Sequence, residues 1–308
     1  MSQVFVIGHK SPDTDSIAAA LSYAYLKRQL GMDAEAKRCG DLNKETKFAL
    51  DYFHVEAPDY IDHVEPGQKL ILVDHNESKQ RVDGSDAADI IEVVDHHRLG
   101  DLETANPIYI LFRPLGCVNT IIYGLYKCNG VAIPKDIAGM MLSAIISDTV
   151  LFRSPTTTEK DKTAVKELAA IAGVDYEKYG MDMLKAGADI SDYPAEKLAK
   201  NDTKEFEAGS KVFTCGQISV MDLAPINAKK EAILAELNKV KAEKGYAASF
   251  LMVTNILTEN TDLWYTDGDA HYAEDAFGKK AEEGRIVLPG VMSRKKQVAP
   301  FLLKAFGK

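Results

Sequence analysis

Short apolar runs alternate with segments of helical periodicity along roughly the first 185 residues, and this alternation restricts the fold more than any other feature. Such alternation is typical of βαβ units around a mostly parallel sheet. We therefore predict an α/β domain with a mostly parallel sheet and helices on both faces. The predicted strands lie at 4–7, 69–73, 90–94 and 108–112, and the predicted helices lie at 16–30, 117–128, 135–147 and 158–172.

A polar, proline-containing stretch near residues 187–202 separates this pattern from a different one. Beyond it, two strand-like runs flank a charged helix at 228–244, and a short strand and a terminal helix follow. This arrangement predicts a smaller mixed α/β domain. The predicted division of the chain is a first domain at 1–187, a linker at 188–198 and a second domain at 199–308.

The composition is that of an ordinary globular protein. The chain has 308 residues, of which 46% are hydrophobic and 27% charged. A net charge of −9 argues against nucleic acid as the main partner. The apolar runs are shorter than the ~18 residues of a membrane span, and the N-terminus does not resemble a secretory signal. Four scattered cysteines are typical of reduced thiols, so we expect a cytoplasmic protein.

Acidic residues and histidines follow three of the predicted strands at the point where each strand ends. In an open parallel sheet these carboxyl ends share one edge, and ligands bind there. Asp13 or Asp15 could instead simply cap the helix predicted from Ser16. Because three separate strands each end in such residues, one functional cluster is the favoured interpretation. A further carboxylate follows the helix predicted at 135–147. The candidates are His9, Asp13, Asp15, Asp74, Asp95, His96, His97 and Asp148.

Carboxylates with a minority of imidazoles suit Mn²⁺, Mg²⁺ or Co²⁺ rather than a structural zinc site. The number of aspartates exceeds the need of one ion, which favours two ions sharing a bridging carboxylate. Two such ions, ~3.5–4 Å apart, activate a bridging water and support displacement at phosphorus. Glycine-rich phosphate loops do not occur in the sequence. Cations such as Arg294, Lys295 and Lys296, before the terminal helix, would then contact phosphate, unless they form only a solvated surface.

Several motifs together resemble the family II, manganese-dependent inorganic pyrophosphatases of the DHH phosphoesterase superfamily. They are "GHKSPDTDS", "LVDHNE", "VVDHH", "ISDT", "DTKEF" and "SRKKQ", and they extend over essentially the whole chain. The DHH triplet marks only the superfamily, whereas "SRKKQ" with "DTKEF" belongs to the pyrophosphatase type of second domain. The resemblance implies hydrolysis of pyrophosphate to two orthophosphates by a metal-bridging water or hydroxide, in a cleft between the domains.

The resemblance also implies roles for individual residues. His9, Asp13 and Asp74 would hold one Mn²⁺, and Asp15, Asp74, His96 and Asp148 the other. His97 would contact the substrate and donate a proton to the leaving phosphate, with Asp95 orienting the imidazoles. Lys204, Arg294 and Lys295 would bind the phosphate groups. Co²⁺ is a possible substitute, Mg²⁺ would arrive with the substrate, and the implied assembly is a homodimer formed through a strand edge of the first domain.

Other functions use similar residues. A nuclease or oligonucleotide phosphodiesterase could use the same metal cluster, although the acidic balance opposes it. An exopolyphosphatase shares the first-domain chemistry, and a binding protein that has lost catalysis is a different class. We expect His54, His63 and His271 to lie outside the site, His75 to be a candidate for a supporting role beside Asp74, and Trp264 to serve packing.

Overall fold

The computed structural model describes residues 3–190 and 192–307. The chain forms two compact units, Met1–Ala186 and Gly187–Lys308. A short helix (Ala195–Ala199) begins inside the segment predicted as a linker. Within the described part of the chain, every helix is too short or too polar to cross a bilayer.

The first unit contains a sheet of six strands. The strands are β1 (Val4–Ile7), β2 (Ala34–Arg38), β3 (Asp59–Tyr60), β4 (Lys69–Val73), β5 (Asp89–Asp95) and β6 (Tyr109–Phe112). The helices are α1 (Thr14–Gln29), α2 (Lys44–Phe53), α3 (Val118–Asn129), α4 (Lys135–Thr149), α5 (Glu159–Ala172) and α6 (Tyr176–Ala188). A capping box of Thr158 and Asp161 begins α5.

The strand order in this sheet is β3-β2-β1-β4-β5-β6, and every pairing is parallel. From β1 the chain proceeds to β2 and β3 on one side, and β4 to β6 then extend the sheet on the other. The order therefore reverses between β1 and β4, and this switch point is where open α/β sheets bind ligands beyond the strand ends.

Alternation along the strands divides the core of this unit into two layers. Val6 of β1 and Val73 of β4 belong to a large apolar cluster that includes residues of all six helices. Ile7 and Leu72 belong to a second cluster whose other members come from strands and connecting segments. The predicted α/β class is confirmed. One detail differs: helices were predicted on both faces, but the helical residues belong to the larger cluster, whereas the second cluster contains residues of connecting segments near two 3₁₀ turns.

The second unit contains a mixed sheet in the order β11-β10-β9-β8-β7, in which only β8 and β9 are parallel. Its strands are β7 (Lys204–Ala208), β8 (Lys211–Val220), β9 (Ala248–Asn255), β10 (Asn260–Tyr265) and β11 (Arg285–Pro289). Its helices are α7 (Ala195–Ala199), α8 (Ala224–Asn227), α9 (Lys230–Lys244), α10 (Ala270–Phe277) and α11 (Ala299–Phe306), and a π-helical turn (Arg294–Val298) leads into α11. The predicted mixed α/β character is confirmed.

The strands missing from the prediction share a cause; the helices α2, α6, α7, α8 and α10 were not predicted either. The strands β2, β3, β7 and β10 are short and rich in polar residues, with the sequences "AEAKR", "DY", "KEFEA" and "NTDLWY". Such strands are held by their neighbours in the sheet rather than by an apolar run of their own, so periodicity does not reveal them.

Candidate metal centre

The residues that follow β1 and β4 meet at the switch point of the first sheet. His9 lies two residues beyond β1, and Asp74 follows β4 directly. Asp74 adopts a left-handed backbone conformation (φ 63°), while its N–H still donates to the carbonyl of Val94 at 3.0 Å. Left-handed geometry is uncommon for a residue other than glycine, although aspartate tolerates it better than most residues do. Strain of this kind is typical of functional sites.

Asp74 lies at the centre of the cluster. Its Oδ2 is 3.4 Å from Nε2 of His9, and its Oδ1 is 3.3 Å from Nε2 of His96. On the side of His9, Nε2 also lies 3.7 Å from Oδ2 of Asp13. The geometry of His9, Asp13 and Asp74 is compatible with one metal ion, because their ligand atoms lie within 4.8 Å of one another.

A second group of possible ligands adjoins the first through His96. The ligand atoms of Asp15, His96 and Asp148 also lie within 4.8 Å of one another. Nε2 of His96 is 4.0 Å from Oδ2 of Asp15 as well as 3.3 Å from Asp74. The structure thus brings together all six residues predicted as ligands; Asp74 belongs to the first group, approaches the second through His96, and forms a further group with His96 and His97.

Asp15 is held in place by the start of α3. Its carboxylate accepts hydrogen bonds from the N–H groups of Val118 (2.8 Å) and Asn119 (3.2 Å). It also accepts from the Asn119 amide (2.7 Å) and the Cys117 thiol (2.9 Å). Asp15 therefore caps a distant helix, whereas Asp13 caps α1 by accepting from Ser16 N–H at 2.9 Å. Asp13 thus combines the capping role with its place in the cluster.

Asp95 orients the two histidines that follow it. Its Oδ1 accepts from the N–H groups of His96 (2.7 Å) and His97 (3.0 Å) and from Nδ1 of His97 (2.9 Å). Its Oδ2 accepts from the amide of Asn76 at 2.7 Å. With Nδ1 donating to Asp95, the Nε2 atom of His97 is the one directed away from this network.

The protonation of the cluster reflects burial and mutual repulsion. Burial raises the pKa of Asp15 to about 6, and the charge of Asp74 adds to the effect. Burial followed by the charge of Asp15 raises the pKa of Asp148 well above its usual value. For Asp74, burial favours the neutral form, but His9 and His96 outweigh it and lower the pKa well below normal. Without a metal ion, Asp15 and Asp148 thus hold protons more tightly than ordinary carboxyl groups do, and a divalent cation would displace these protons.

Two features show that the cluster fits a cation. Among the described residues, no hydrogen-bond donor satisfies either carboxylate oxygen of Asp74 or Oδ2 of Asp148, although these atoms are buried. His96 has its Nδ1 3.0 Å from the carbonyl oxygen of Leu115, so Nδ1 donates there and Nε2 faces the carboxylate of Asp74; without a cation Nε2 carries a proton towards it, and Nε2 would direct a lone pair to a cation once that proton is displaced. Metal-binding histidines typically donate their other N–H in this way. A lone pair facing carboxylates becomes favourable when a cation lies between them.

Apart from Asp95, sequence reasoning missed the residues that support the ligands. Glu45 of α2 accepts from the hydroxyls of Thr14 (2.9 Å) and Ser147, each of which adjoins a candidate ligand. Three consecutive residues after α4, at 150–152, adopt left-handed conformations with φ between 49° and 68°. This strained turn follows Asp148 closely and ends its helix. The local sequence around Glu45 gives no signal of its role, because its partners are far away along the chain.

The cationic candidates belong to the second unit. Lys204 is the first residue of β7, and Arg294 and Lys295 begin the π-helical turn. Arg294 is buried and forms an ion pair with Asp202, with Nη2 and Oδ1 2.9 Å apart. The sequence did not reveal this partner.

The residues expected to lie outside the cluster are also placed. His54 ends α2 in a left-handed conformation, and His63 is exposed beside Asp62 and Glu65. Nδ1 of His271 donates to the carbonyl of Gly268 at 2.9 Å. Trp264 is fully buried in a core cluster of the second unit, so its packing role is confirmed. Burial lowers the pKa of His75 to about 4, and its Nδ1 lies 2.9 Å from the carbonyl of Val73.

We expect Mn²⁺ to stabilise the metal-stripped protein. A cation that relieves the repulsion among these carboxylates binds the folded chain and not the unfolded one. At a free Mn²⁺ concentration of about 100 times Kd, the free energy of unfolding should rise by about 2.7 kcal/mol. The shift should shrink at pH 5.5, because the pKa of Asp15 is raised to about 6 and Mn²⁺ must then displace a proton. Thermal melting at pH 5.5 and 7.5 tests this, with K⁺ at matched ionic strength as control; identical melting with Mn²⁺ and with a chelator would contradict it.

The chain is similar to known proteins along nearly its whole length. Residues 3–145 match the model of the DHH family, N-terminal domain, and residues 181–305 match that of the DHHA2 domain. A Bacillus licheniformis protein named "Probable manganese-dependent inorganic pyrophosphatase" is 48% identical over 306 residues, covering 99% of each chain. An Exiguobacterium protein of the same name is 47% identical over 309 residues, covering 100% of each chain.

A solved structure extends the similarity to the fold. A Methanococcus jannaschii protein assigned to the family II inorganic pyrophosphatases matches with a TM-score of 0.88 and 39% identity. The match covers 99% of this chain and 100% of that one. Identity at this level over nearly the full length of each relative shows common membership rather than a shared fold alone. The chain belongs to the family of manganese-dependent, family II inorganic pyrophosphatases, with a DHH domain followed by a DHHA2 domain.

Proposed function

We propose that this protein hydrolyses inorganic pyrophosphate to two orthophosphates with the help of two Mn²⁺ ions. The observation that carries the proposal is the position of Asp74, whose buried and unsatisfied oxygens face one histidine–aspartate group on each side. The names of the relatives support the same substrate and metal. His9, Asp13 and Asp74 would hold one ion, and Asp15, Asp74, His96 and Asp148 the other.

The side chains of the first unit would prepare the reaction. When bound, the two ions would activate water for attack on phosphorus and offset the charge of the phosphoryl oxygens. Asp95 keeps the Nδ1 atom of His97 in a hydrogen bond, so that Nε2 is the atom that would deliver a proton to the leaving phosphate. Asp15 and the N-terminus of α3 hold one side of the cluster rigid.

The phosphate groups would be bound by Lys204, Arg294 and Lys295 of the second unit. A guanidinium and two ammonium groups suit the oxygens of a small polyanion. The lysines begin β7 and the π-helical turn, so each extends from a defined backbone position. Mg²⁺ carried by the substrate would reduce the remaining negative charge.

Lys295→Ala should raise KM for pyrophosphate by about tenfold or more while the Mn²⁺ content stays unchanged, because a charge-assisted contact to phosphate is lost. Lys304→Ala is the matched control, since Lys304 is an exposed lysine of the same unit. Steady-state kinetics and metal analysis of both variants provide the measurement. Loss of Mn²⁺ from the Lys295 variant, or an equal effect in the control, would count against phosphate binding by Lys295.

The test of the proposed function is release of orthophosphate by protein stripped of metal and reloaded with Mn²⁺ or Co²⁺ in Mg²⁺ buffer. Pyrophosphate, long-chain polyphosphate and a short oligonucleotide would be compared side by side. We expect rapid release from pyrophosphate alone. Preference for polyphosphate or for the oligonucleotide would refute the proposed substrate, and absence of release from all three would refute hydrolysis.

We also propose a homodimer formed through β6, in a cytoplasmic protein. β6 ends the six-stranded sheet and is paired with β5. Tyr109 and Ile110 of this edge are 46% and 49% exposed. An edge strand with exposed apolar side chains is a ready partner for a second copy. Ile110→Lys should convert the dimer into a monomer in sedimentation experiments; a native protein that sediments as a monomer would refute the assembly.

A further inference from the structure

We infer that Asp202 is a positioning residue: its ion pair with Arg294 ties the start of β7, which carries Lys204, to the π-helical turn, which carries Lys295. This inference rests on the proposed function, because it assigns the residue that aligns the phosphate-binding lysines. Asp202 itself is not proposed to contact the substrate.

The guanidinium of Arg294 is buried and makes several hydrogen bonds to Asp202 and its surroundings. Nη2 of Arg294 lies 2.9 Å from Oδ1 and 3.0 Å from Oδ2 of Asp202. Nη1 donates to the backbone carbonyl of Asp202 and, at 3.0 Å, to that of Cys215. The Arg294 residue is only 7% exposed, so its guanidinium is sheltered, whereas the side chain of Asp202 is 53% exposed and meets solvent on its other side.

The contacts of Arg294 converge on the start of β7. Lys204 is paired with Cys215 in the antiparallel ladder between β7 and β8. The guanidinium of Arg294 therefore binds the carbonyl of the residue opposite Lys204 and also binds the residue two positions before Lys204. Asp202 adopts a left-handed conformation with φ 39°. Such a turn needs support from its surroundings, and the guanidinium supplies it.

Most N–H groups of the Arg294 guanidinium already donate hydrogen bonds in these contacts. A guanidinium has five N–H groups. The contacts to Asp202 and Cys215 use both N–H groups of Nη1 and at least one of Nη2. At most two remain for a phosphate group, so a large part of the contribution of Arg294 to substrate binding comes from shaping the backbone around Lys204.

The other end of the pair is equally fixed. Oε1 of Gln297 accepts from the N–H groups of Met292 and Ser293, both at 3.0 Å, and its Nε2 donates to the carbonyl of Gly290 at 2.9 Å. The hydroxyl of Ser293 accepts from the N–H of Lys296 at 3.3 Å. The backbone on both sides of Arg294 is thus held, so the ion pair joins two ordered segments.

The direction of the effect distinguishes positioning from competition. If Asp202 aligns the lysines, its removal weakens substrate binding. If Asp202 instead competes with phosphate for the guanidinium, its removal releases Arg294 and strengthens substrate binding. The same variants therefore give opposite changes in KM under the two interpretations.

The experiment uses the full chain loaded with Mn²⁺ and compares Asp202→Gly with Asp202→Asn, since both residues tolerate a left-handed backbone. Asp202→Gly should raise KM for pyrophosphate by about tenfold, with kcat within about threefold and the Mn²⁺ content unchanged. Asp202→Asn should recover part of the loss because its amide oxygen still accepts a hydrogen bond. The matched control is Glu259→Gly, which removes an exposed acidic residue at a left-handed position (φ 57°) of the same unit.

A double variant tests whether Asp202 acts through Lys204. In a Lys204→Ala background, Asp202→Gly should raise KM by clearly less than the factor of about ten expected in the native background, since coupled residues are not additive; the remaining effect would act through Lys295. Two independent, multiplying effects would overturn the inference, as would an unchanged or lower KM in the Asp202→Gly variant. Hydrolysis by the native protein is read in the same assay: its absence would overturn the proposed function and the inference together, whereas normal hydrolysis with an unaffected variant would overturn only the inference.

Discussion

Asp74→Asn is expected to lower the Mn²⁺ content and the turnover together. Asp74 contacts both ligand groups, with His9 at 3.4 Å and His96 at 3.3 Å, so the amide would weaken both sites at once. Metal ions contribute several kcal/mol to transition-state stabilisation, and a loss of about 4 kcal/mol corresponds to a fall in kcat of about a thousandfold. The measurement is elemental analysis of the purified variant alongside its rate of pyrophosphate hydrolysis.

The matched control for this variant is Asp86→Asn, which neutralises an exposed carboxylate of the same unit. We expect the control to keep its metal and its rate, because a surface carboxylate contributes little. In the Asp74→Asn variant, the Mn²⁺ content and the turnover should both fall below the native values at every Mn²⁺ concentration below saturation. Full activity with a full complement of Mn²⁺ would show that Asp74 does not bridge the two groups.

His97→Gln should lower kcat by about 10²- to 10⁴-fold without changing the Mn²⁺ content, since general acid catalysis contributes factors of that size. Glutamine keeps hydrogen-bonding capacity but cannot carry a proton to the leaving phosphate. Its side chain can still approach Asp95, which contacts Nδ1 of His97 at 2.9 Å. The variant therefore separates proton transfer from the shape of the site.

The control for His97 is His63→Gln, because His63 is an exposed histidine with two carboxylate neighbours of its own. The control should keep both its rate and its metal. A His97 variant that loses Mn²⁺ would instead identify His97 as a ligand, in agreement with its distance of 3.7 Å from Asp74. A variant with unchanged kcat and metal would remove His97 from the mechanism.

Prediction from the sequence succeeded where a local apolar pattern is followed directly by candidate functional residues. The apolar runs of β1, β4 and β5 identify buried strands, and Asp74 and His96 lie directly beyond two of them. Once a parallel sheet is inferred, the shared carboxyl edge follows from the geometry of such sheets. The cluster of candidate ligands could therefore be assembled before any coordinates were known.

The supporting residues could not be predicted in this way. Asp15 meets Asn119 across 104 positions, and Asp202 meets Arg294 across 92. Glu45 meets Ser147 across 102 positions. Neither periodicity nor the neighbouring residues carry information about such pairs, because they depend on the order of strands and on the packing of helices.

The residue types at the ends of the strands, and hence the chemistry available at the sheet edge, can be read from the sequence. The sequence also determined the two α/β patterns, since helix and strand periods are properties of neighbouring residues. The capping of α3 by Asp15 and the pairing of Arg294 with Asp202 depend on tertiary packing. The physical reason is that a local pattern records which face of an element is buried, whereas the partner that covers a buried polar group is chosen by the packing of the whole unit.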